Sequence, residues 1–425
     1  MTERDLDAWQ QRLATLHPQE IELGLDRVAK VANRLNYGAL AERRVSIAGT
    51  NGKGSTIATL ERLLLDAGQS VGVYTSPHLM RYNERVRING EYASDADLCT
   101  ALTVVDAARE DTPLTYFEFT TLAAFYLFAQ QPLAVVLLEV GLGGRLDAVN
   151  IIDADIAVIT SIAIDHEDWL GDNREAIAIE KAGILRSNIA FVCADRAPPN
   201  ALRSAANTLN TQSYFIGEQF DYSRHADDSW TWQSGTTTFE NLPLPDLHLD
   251  CAAAALQVFM LLDNPVSAAE LNRSLANCHL PGRLQQLDHH GISIVLDVAH
   301  NPAAAMALAE QLRRQPWSGK TQAVFAVLSD KNWPAMLTPL QELVDSWFLA
   351  ELITSARAET AAAVADELRE RGQFVANVSE NPCQALRQAL SIAQTGDRVL
   401  VFGSFHTVGP VLELLQDKLE TDDNG

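Results

Sequence analysis

The chain has 425 residues, a length that predicts two or three domains. Apolar residues make up 47% and charged residues 20%, as in ordinary globular proteins, and the formal net charge is −23. This negative balance argues against nucleic acid or an anionic membrane surface as the main partner.

The sequence also bears on where the protein is located. Its first twenty residues carry charges throughout and have no apolar segment, which argues against a signal peptide. The longest apolar stretch, residues 251–262, lies between Asp250 and Asp263 and is too short to span a bilayer. The five scattered cysteines have no CxxC spacing and predict reduced thiols. We therefore expect a cytoplasmic protein. A charged N-terminal helix and the lack of an apolar stripe in the sequence make a monomer the expected state.

Apolar runs typical of strands alternate with helical stretches, which predicts α/β domains with mostly parallel sheets covered by helices. In the first half of the chain we expect strands at 45–49, 70–75, 133–141, 154–164 and 190–194, and helices at 54–67 and 250–262. The segment 213–240 is rich in aromatic, Ser and Thr residues and predicts a small antiparallel insertion.

Turn and polar residues around 280–291 predict a domain boundary, with an N-terminal domain at 1–284 and a smaller C-terminal α/β domain at 285–425. In this second series the pattern predicts strands at 293–298, 323–328, 346–351 and 398–403, and helices at 302–314, 333–344 and 358–371.

The strongest local signal is a glycine-rich turn between a predicted strand and a predicted helix. It contains Gly49, Thr50, Asn51, Gly52, Lys53, Gly54 and Ser55. Backbone N–H groups of such a turn approach phosphate oxygens, and Lys53 would reach the β- and γ-phosphates of ATP. The strict G-x4-G-K-[ST] spacing is not met, and an ordinary glycine-rich turn is the structural alternative. The strand–loop–helix context favours phosphate binding.

Polar residues follow other predicted strands. Ser76 is positioned to bind Mg²⁺, and Glu139 closes a wholly apolar strand, where an unpaired acid is costly. His166 follows the next strand, and Lys181 lies in a mostly apolar helical stretch, where an amine can lose its proton. The structural alternatives are a Ser-Pro turn, an ion pair of Glu139 with Arg145, a hydrogen-bonded histidine and a lysine ion pair.

The C-terminal domain has a similar set. Asp297 and His300 follow its first predicted strand, Ser404 follows its last, and Arg283 lies in the linker. These candidates, like those of the first domain, lie at the C-terminal ends of predicted parallel strands or in the hinge. Open α/β sheets bind their ligands at that edge.

Taken in this order, the motifs resemble the folylpolyglutamate synthase/dihydrofolate synthase family, relatives of the Mur cell-wall ligases. The segments that carry the resemblance are GTNGKGS (49–55), TSPHL (75–79), ERVRING (84–90), LTYFEF (114–119), EVGLGGRLDAVN (139–150), SIAIDHEDWLG (161–171), EKAGI (180–184), LPGR (280–283), DVAHNP (297–302) and GSFHTV (403–408). The resemblance implies a P-loop-type ATPase domain followed by a Rossmann-like domain. It also implies ATP-dependent ligation of L-glutamate to dihydropteroate and to tetrahydrofolate through an acyl phosphate.

The resemblance further implies roles for individual residues. Ser76, Glu139 and His166 match ligands of Mg²⁺, of which two ions are expected, and Lys181 matches a lysine that is carbamylated to bind the second ion. Lys53, His166 and Lys181 are thus the expected catalytic residues.

Substrate contacts follow from the same resemblance. Arg283 and Asp297 match ATP contacts, and His300 and Ser404 match contacts of the incoming glutamate. The dihydropteroate pocket is matched by Thr115, Tyr116, Phe117, Glu118, Leu146, Asp147 and Ala148. One position departs from the family, because Cys251 stands where an ATP-contacting Asn is expected.

Two other functions are alternatives to this one. A Mur ligase that acts on UDP-muramyl precursors is the alternative enzyme, and the folate-type segments LTYFEF and GTNGKGS argue against it. A non-catalytic protein that uses the phosphate loop as a switch would leave Glu139, His166 and Lys181 without a purpose.

Overall fold

The computed structural model describes residues 4–422 except positions 18, 20, 265, 316 and 354–356. By their contacts these residues form two compact units. The first contains the chain up to His78 and from Tyr82 to Cys278, and the second contains Leu79–Arg81 and the chain from His279 onwards. The division thus falls a few residues before the expected boundary at 284–285. No described helix is both long and apolar enough to cross a membrane.

The first unit is built on an eight-stranded sheet with the order β4-β3-β2-β5-β1-β6-β7-β8. Its strands are β1 (Arg43–Ala48), β2 (Val71–Tyr74), β3 (Val86–Ile88), β4 (Glu91–Tyr92), β5 (Val135–Glu139), β6 (Ile156–Ile159), β7 (Ala190–Cys193) and β8 (Gln212–Phe215). All pairs are parallel except those of β3 and β4 at one edge. Alternate residues of β5 enter different cores, Val136 and Leu138 on one face and Val135 and Leu137 on the other.

Helices cover both faces of this sheet. They are α1 (Leu6–Leu16), α2 (Asp26–Leu35), α3 (Lys53–Asp66), α4 (Asp95–Arg109), α5 (Tyr116–Ala129), α6 (Glu167–Leu170), α7 (Arg174–Ala182), α8 (Asn200–Thr208), α9 (Leu249–Leu261) and α10 (Ala268–Ala276). Side chains of the residues before the helices fix many of the starts: Ser94, Thr115, Asn173 and Ser267 each accept a backbone N–H of the first turn.

The antiparallel insertion differs from the expected one at 213–240. Strand β8 joins the parallel sheet beside β7, and the three-stranded antiparallel sheet consists of β9 (Phe220–Arg224), β10 (Ser229–Ser234) and β11 (Thr237–Pro243). Strand β8 is a half-exposed edge strand, so it lacks the apolar run that identifies the other parallel strands. The insertion is anchored to α9, since the indole N–H of Trp232 donates to the carbonyl of Ala253 at 3.1 Å.

The second unit has a six-stranded sheet with the order β12-β13-β17-β14-β15-β16, in which only β12 is antiparallel. Its elements are β12 (Gln285–His289), β13 (Ile292–Asp297), α11 (Pro302–Arg314), β14 (Thr321–Phe325), α12 (Trp333–Leu337), β15 (Ser346–Ala350), α13 (Ala361–Glu370), β16 (Val375–Ser379), α14 (Pro382–Ile392), β17 (Arg398–Phe402) and α15 (Phe405–Asp422). The helix expected at 333–344 ends at Leu337 because Pro339 has no backbone N–H to continue it. The α/β class with two parallel-sheet units is confirmed.

Candidate functional site

The glycine-rich turn after β1 is held in shape by the segment that follows β6. The N–H of Thr50 donates to Ser161 O at 2.7 Å, and the N–H of Asn51 donates to Ser161 Oγ at 3.0 Å. The hydroxyl of Thr160 donates to Asn51 O at 2.7 Å. Gly49 is required here, because a Cβ at this position would lie 1.9 Å from Thr160 Oγ1. The segments that follow the neighbouring parallel strands β1 and β6 are thus joined by hydrogen bonds, which hold the glycine-rich turn in place.

Lys53 begins α3 directly after this loop, so the N–H groups at the start of the helix, such as those of Gly54 and Ser55, lie at the loop. The ammonium of Lys53 donates to the carbonyls of Gly49 at 3.0 Å and Thr50 at 3.3 Å. A lysine folded back over a loop of this kind can exchange carbonyl partners for phosphate oxygens. The arrangement fits the predicted phosphate loop.

Cys251 at the start of α9 lies beneath the same loop. Its thiol is buried, and a Cβ at Gly52 would be only 2.7 Å from Cys251 Sγ. The position that departs from the family pattern is therefore in contact with the phosphate loop.

Ser76 and Glu139 are brought together at the ends of the adjacent parallel strands β2 and β5. Glu139 is 5% exposed, and its Oε2 accepts the backbone N–H of Ser76 at 3.1 Å. Arg145, the alternative partner of Glu139, pairs instead with Glu180 at 2.9 Å. A nearly buried carboxylate beside a hydroxyl residue at a sheet edge is suited to a hard cation that keeps water and phosphate oxygens as its other ligands.

The remaining predicted metal ligand, His166, is at the N-terminus of the short helix α6 with a positive φ of 54° and is exposed. Within the described ranges, no three residues among His, Cys, Asp and Glu converge on one point to hold a metal. The donor set therefore fits an ion that is bound mainly through a nucleotide, not an all-protein cage.

Lys181 near the end of α7 is 3% exposed. Its pKa is lowered from the usual 10.5 to about 7, mainly by burial and in part by the positive charge of Lys53, while the charges of Asp165 and Asp147 oppose the shift. Lys53 and Lys181 are therefore close enough to interact, although they come from different helices.

Asp147 shapes the loop between β5 and the 3₁₀ turn Ala148–Ile151. Its carboxylate accepts the N–H groups of Gly141 at 3.0 Å, Leu142 at 2.9 Å and Val149 at 2.9 Å. Burial raises the pKa of Asp147 to about 7 despite these hydrogen bonds. This residue is thus committed to the backbone of its own loop. Leu146, next to it, remains half-exposed, and Ala148 is buried.

The four residues of the expected pteroate segment divide into two pairs. Thr115 and Glu118 are buried and form a capping box at the start of α5, with Arg27 donating to Glu118 at 2.9 Å. Their side chains thus stabilise the N-terminal end of α5. Tyr116 and Phe117 are half-exposed and are the two that offer side-chain surface.

Tyr74, Tyr82, Tyr116 and Phe117 form what we call the aromatic cluster. Ring centres are 5.9 Å apart for Tyr74 and Phe117 and 6.2 Å apart for Tyr82 and Tyr116. Phe117 also packs onto Gly141 of the loop after β5. The cluster is therefore adjacent to the Ser76–Glu139 pair, since Tyr74 ends β2 and Gly141 follows Glu139.

Sequence reasoning assigned no role to Arg85, which lies against the aromatic cluster. Nor did it identify Arg174 and Asp195, which hold the segment after β6. Asp195 Oδ2 accepts the N–H of Ile162 at 2.7 Å and Arg174 at 2.8 Å, while Arg174 Nε donates to Ile162 O at 2.7 Å. The sequence offers one signal for Asp195. This acid directly follows the predicted strand at 190–194, much as Glu139 lies at the end of its own apolar strand.

The predicted residues of the second unit gather at the C-terminal ends of β13 and β17, which are paired from Ser293 to Asp297. Asp297 is buried, which raises its pKa, and the charge of Arg283 opposes that rise. Phe405 lies 5.6 Å from the Arg283 guanidinium and 6.0 Å from the His300 ring. Ser404 is buried, and its Oγ accepts the N–H of His406 at 3.1 Å.

Comparisons with known proteins agree with this geometry. Residues 47–244 match the Mur ligase middle domain and residues 282–405 match the Mur ligase glutamate ligase domain, together most of the chain. The dihydrofolate synthase/folylpolyglutamate synthase of Escherichia coli strain K12 is 42% identical over 410 residues, which cover 96% of this chain and 95% of that protein.

Solved structures are similar over the same length. E. coli FolC in complex with DHPP and ADP aligns with a TM-score of 0.93 and 41% identity, covering 98% of both chains. A bifunctional folylpolyglutamate synthase/dihydrofolate synthase with Mn, AMPPNP and L-glutamate bound aligns with a TM-score of 0.90 and 43% identity, covering 97% of this chain and 98% of that one. The chain therefore belongs to the dihydrofolate synthase/folylpolyglutamate synthase family of Mur ligases.

Proposed function

We propose that this protein is an ATP-dependent ligase that adds L-glutamate to dihydropteroate, giving dihydrofolate, and to tetrahydrofolate, extending a polyglutamate chain. The observation that carries the proposal is a single sheet edge that combines a phosphate loop with Lys53, the Ser76–Glu139 pair and a buried Lys181. A phosphate loop with its lysine and a carboxylate able to hold Mg²⁺ are suited to the transfer of a phosphoryl group from ATP to a carboxylate. The similarity to FolC over almost the whole chain supports the choice of substrates.

The reaction needs ATP because a carboxylate is a poor acyl donor. An oxygen of the pteroate carboxylate attacks the γ-phosphorus, ADP leaves, and the resulting acyl phosphate has a good leaving group. The amine of glutamate then attacks the acyl carbon, and an amide and inorganic phosphate are formed. Water would hydrolyse the acyl phosphate, so the chain must hold it in a dry site.

Lys53 binds the β- and γ-phosphates and stabilises the negative charge of the transferring group. Ser76 and Glu139, with His166, are the residues that would hold Mg²⁺. When bound, the ion neutralises phosphate charge and orients the γ-phosphoryl group. In the second unit, Arg283 and Asp297 contact ATP, and His300 and Ser404 contact the incoming glutamate.

Lys181 is carbamylated in the active enzyme. The amine is buried and its pKa is about 7, so much of it is neutral at physiological pH, and only the neutral amine adds CO₂. Carbamylation would convert the buried amine into a carboxylate-like group, whose oxygen would be a ligand for a second Mg²⁺. The aromatic residues Tyr116 and Phe117, with Leu146, contact the dihydropteroate.

The proposal is tested by measuring phosphate release with ATP, Mg²⁺ and L-glutamate, adding dihydropteroate or tetrahydrofolate separately. We expect turnover with both. A Lys53→Ala variant with unchanged thermal unfolding serves as the control, and we expect it to lose at least 99% of the turnover, about 2.7 kcal/mol of barrier. Turnover with tetrahydrofolate alone would show that the protein lacks dihydrofolate synthase activity. Turnover only with a UDP-muramyl precursor would overturn the proposal in favour of the Mur alternative.

A further inference from the structure

Arg85 is a buried cation next to the proposed reaction site. It ends the 3₁₀ turn Tyr82–Arg85 and is 7% exposed. Its Nε donates to His78 Nδ1 at 2.9 Å, and its guanidinium lies 5.7 Å from the ring centre of Tyr82 and 5.3 Å from that of Tyr116. The side chain is thus held in one place by His78 and two tyrosine rings.

What Arg85 lacks is an anionic partner. Across the described parts of the chain, no carboxylate forms an ion pair with it. Arg87, two residues along, shows the usual arrangement, because its guanidinium donates to Glu61 at 2.7 Å and 3.0 Å. Burying a charge without a counter-charge is costly, so a buried arginine of this kind is expected to receive its anion from a ligand.

The position of Arg85 indicates which anion. On one side it contacts His78, two residues after Ser76, whose N–H donates to Glu139. On the other side it contacts Tyr116 of the aromatic cluster, where the pteroate is proposed to bind. Its positive charge also lowers the pKa of Tyr74 against the effect of burial. Arg85 therefore contacts both the segment after β2, which contains Ser76, and the aromatic cluster.

We propose that Arg85 binds the acceptor carboxylate of dihydropteroate, and of the polyglutamylated folate, and holds it for attack on the γ-phosphoryl group. This inference rests on the proposed function, since it assigns a residue to the acceptor of that reaction. A planar guanidinium can donate two parallel hydrogen bonds to a carboxylate, and its fixed stacking on tyrosine rings reduces the entropy lost on binding.

The test compares two ligands that differ only in the anion. One is dihydropteroate, and the other is the same molecule with hydrogen in place of the benzoate carboxylate, used as a competitive inhibitor. In Arg85→Gln we expect the KM for dihydropteroate to rise about 10- to 100-fold, the range for a lost charged hydrogen bond. The KM for ATP and the inhibition constant of the decarboxylated compound should change less than about threefold.

Two further variants separate binding from folding. Arg85→Lys keeps the charge and should recover part of the affinity for dihydropteroate relative to Arg85→Gln. Arg203→Gln is the matched control, because Arg203 also rests on a ring, 4.2 Å from the centre of Phe215, and pairs with Glu218 elsewhere in the first unit. We expect it to leave all three constants unchanged.

The outcomes distinguish this inference from the proposed function. If the natural protein does not use dihydropteroate or tetrahydrofolate, the proposed function fails. If it does, and Arg85→Gln weakens both ligands equally or neither of them, Arg85 is a structural residue and the inference is overturned. Thermal unfolding of each variant identifies any loss that comes from misfolding.

Discussion

The amine of Lys181, at the proposed site, has a pKa far below the usual value for a lysine. An unfolded chain holds this proton up to about pH 10.5, whereas the folded chain holds it only up to about pH 7. Between these two values the unfolded state binds more protons, so the contribution of Lys181 to stability increases as the pH rises from 7 to 10.5. A buried lysine with a lowered pKa reduces stability at neutral pH. Such perturbed groups are common at functional sites, where the reaction uses the neutral amine.

The low pKa gives a reactivity test for carbamylation. After exposure to bicarbonate and chemical trapping of carbamates, we expect mass spectrometry to find the adduct on Lys181. The yield should increase between pH 6 and pH 8, because the neutral fraction rises through a pKa of about 7. Lys30, exposed on α2, is the reference and should remain largely unmodified. Equal labelling of the two lysines, or none on Lys181 at pH 8, would contradict the carbamate.

At the scale of elements, the phosphate loop is held by the segment that follows β6. Residues 160–163 hold Thr50 and Asn51 on one side, through Thr160, Ser161 and the carbonyl of Ala163. On the other side, Asp195 and Arg174 hold Ile162. Residues after β7 and at the start of α7 thus hold the segment after β6, and that segment in turn holds the loop after β1.

This linkage predicts that Asp195 is a positioning residue for ATP. In Asp195→Ala the N–H of Ile162, a residue 3% exposed, loses its acceptor, and we expect a stability loss of about 1–3 kcal/mol in urea unfolding. The KM for ATP should rise about tenfold, while the KM for dihydropteroate changes less than about twofold.

Asp195→Asn provides the rescue, since its amide oxygen can still accept from Ile162, and it should recover most of the affinity for ATP. Glu218→Ala, which removes the Arg203–Glu218 ion pair near the same edge of the sheet, is the control. A uniform decrease in turnover with both KM values unchanged would show that the contacts of Asp195 with Ile162 and Arg174 support stability alone.

The same elements explain how far the sequence predicts the structure. Strands β2, β5, β6 and β7 are short, mostly apolar runs, and β1 contains the buried segment 45–48. Their positions and the polar residues at their ends, such as Ser76 and Glu139, could therefore be predicted. Strand β16 is half-exposed and has no such run, and it was not predicted. Arg85 was missed for a different reason, because its isolation from carboxylates depends on which side chains the fold brings to it.

At the scale of the whole molecule, each unit has its own apolar interior. In the second unit Trp347 is fully buried, and its ring lies 6.2 Å from the rings of Phe325 and Phe402, on neighbouring strands of the six-stranded sheet. In the first unit Phe259 on α9 is fully buried in the core that also contains Val135 and Leu137. Units with separate cores generally fold and open as separate cooperative units.

Because the two cores are separate, we expect a core substitution in one unit to destabilise that unit and not the other. Trp347→Ala should destabilise the second unit by about 3–5 kcal/mol, because it removes a large buried ring. In hydrogen exchange under native conditions, amides of β13, β14 and β17 should exchange faster, while those of β1, β5 and β6 keep their rates. Phe259→Ala is the reciprocal variant and should give the opposite pattern. If either substitution accelerates exchange across both sheets equally, the two units open as one, and binding at the phosphate loop would then depend on the integrity of the second core.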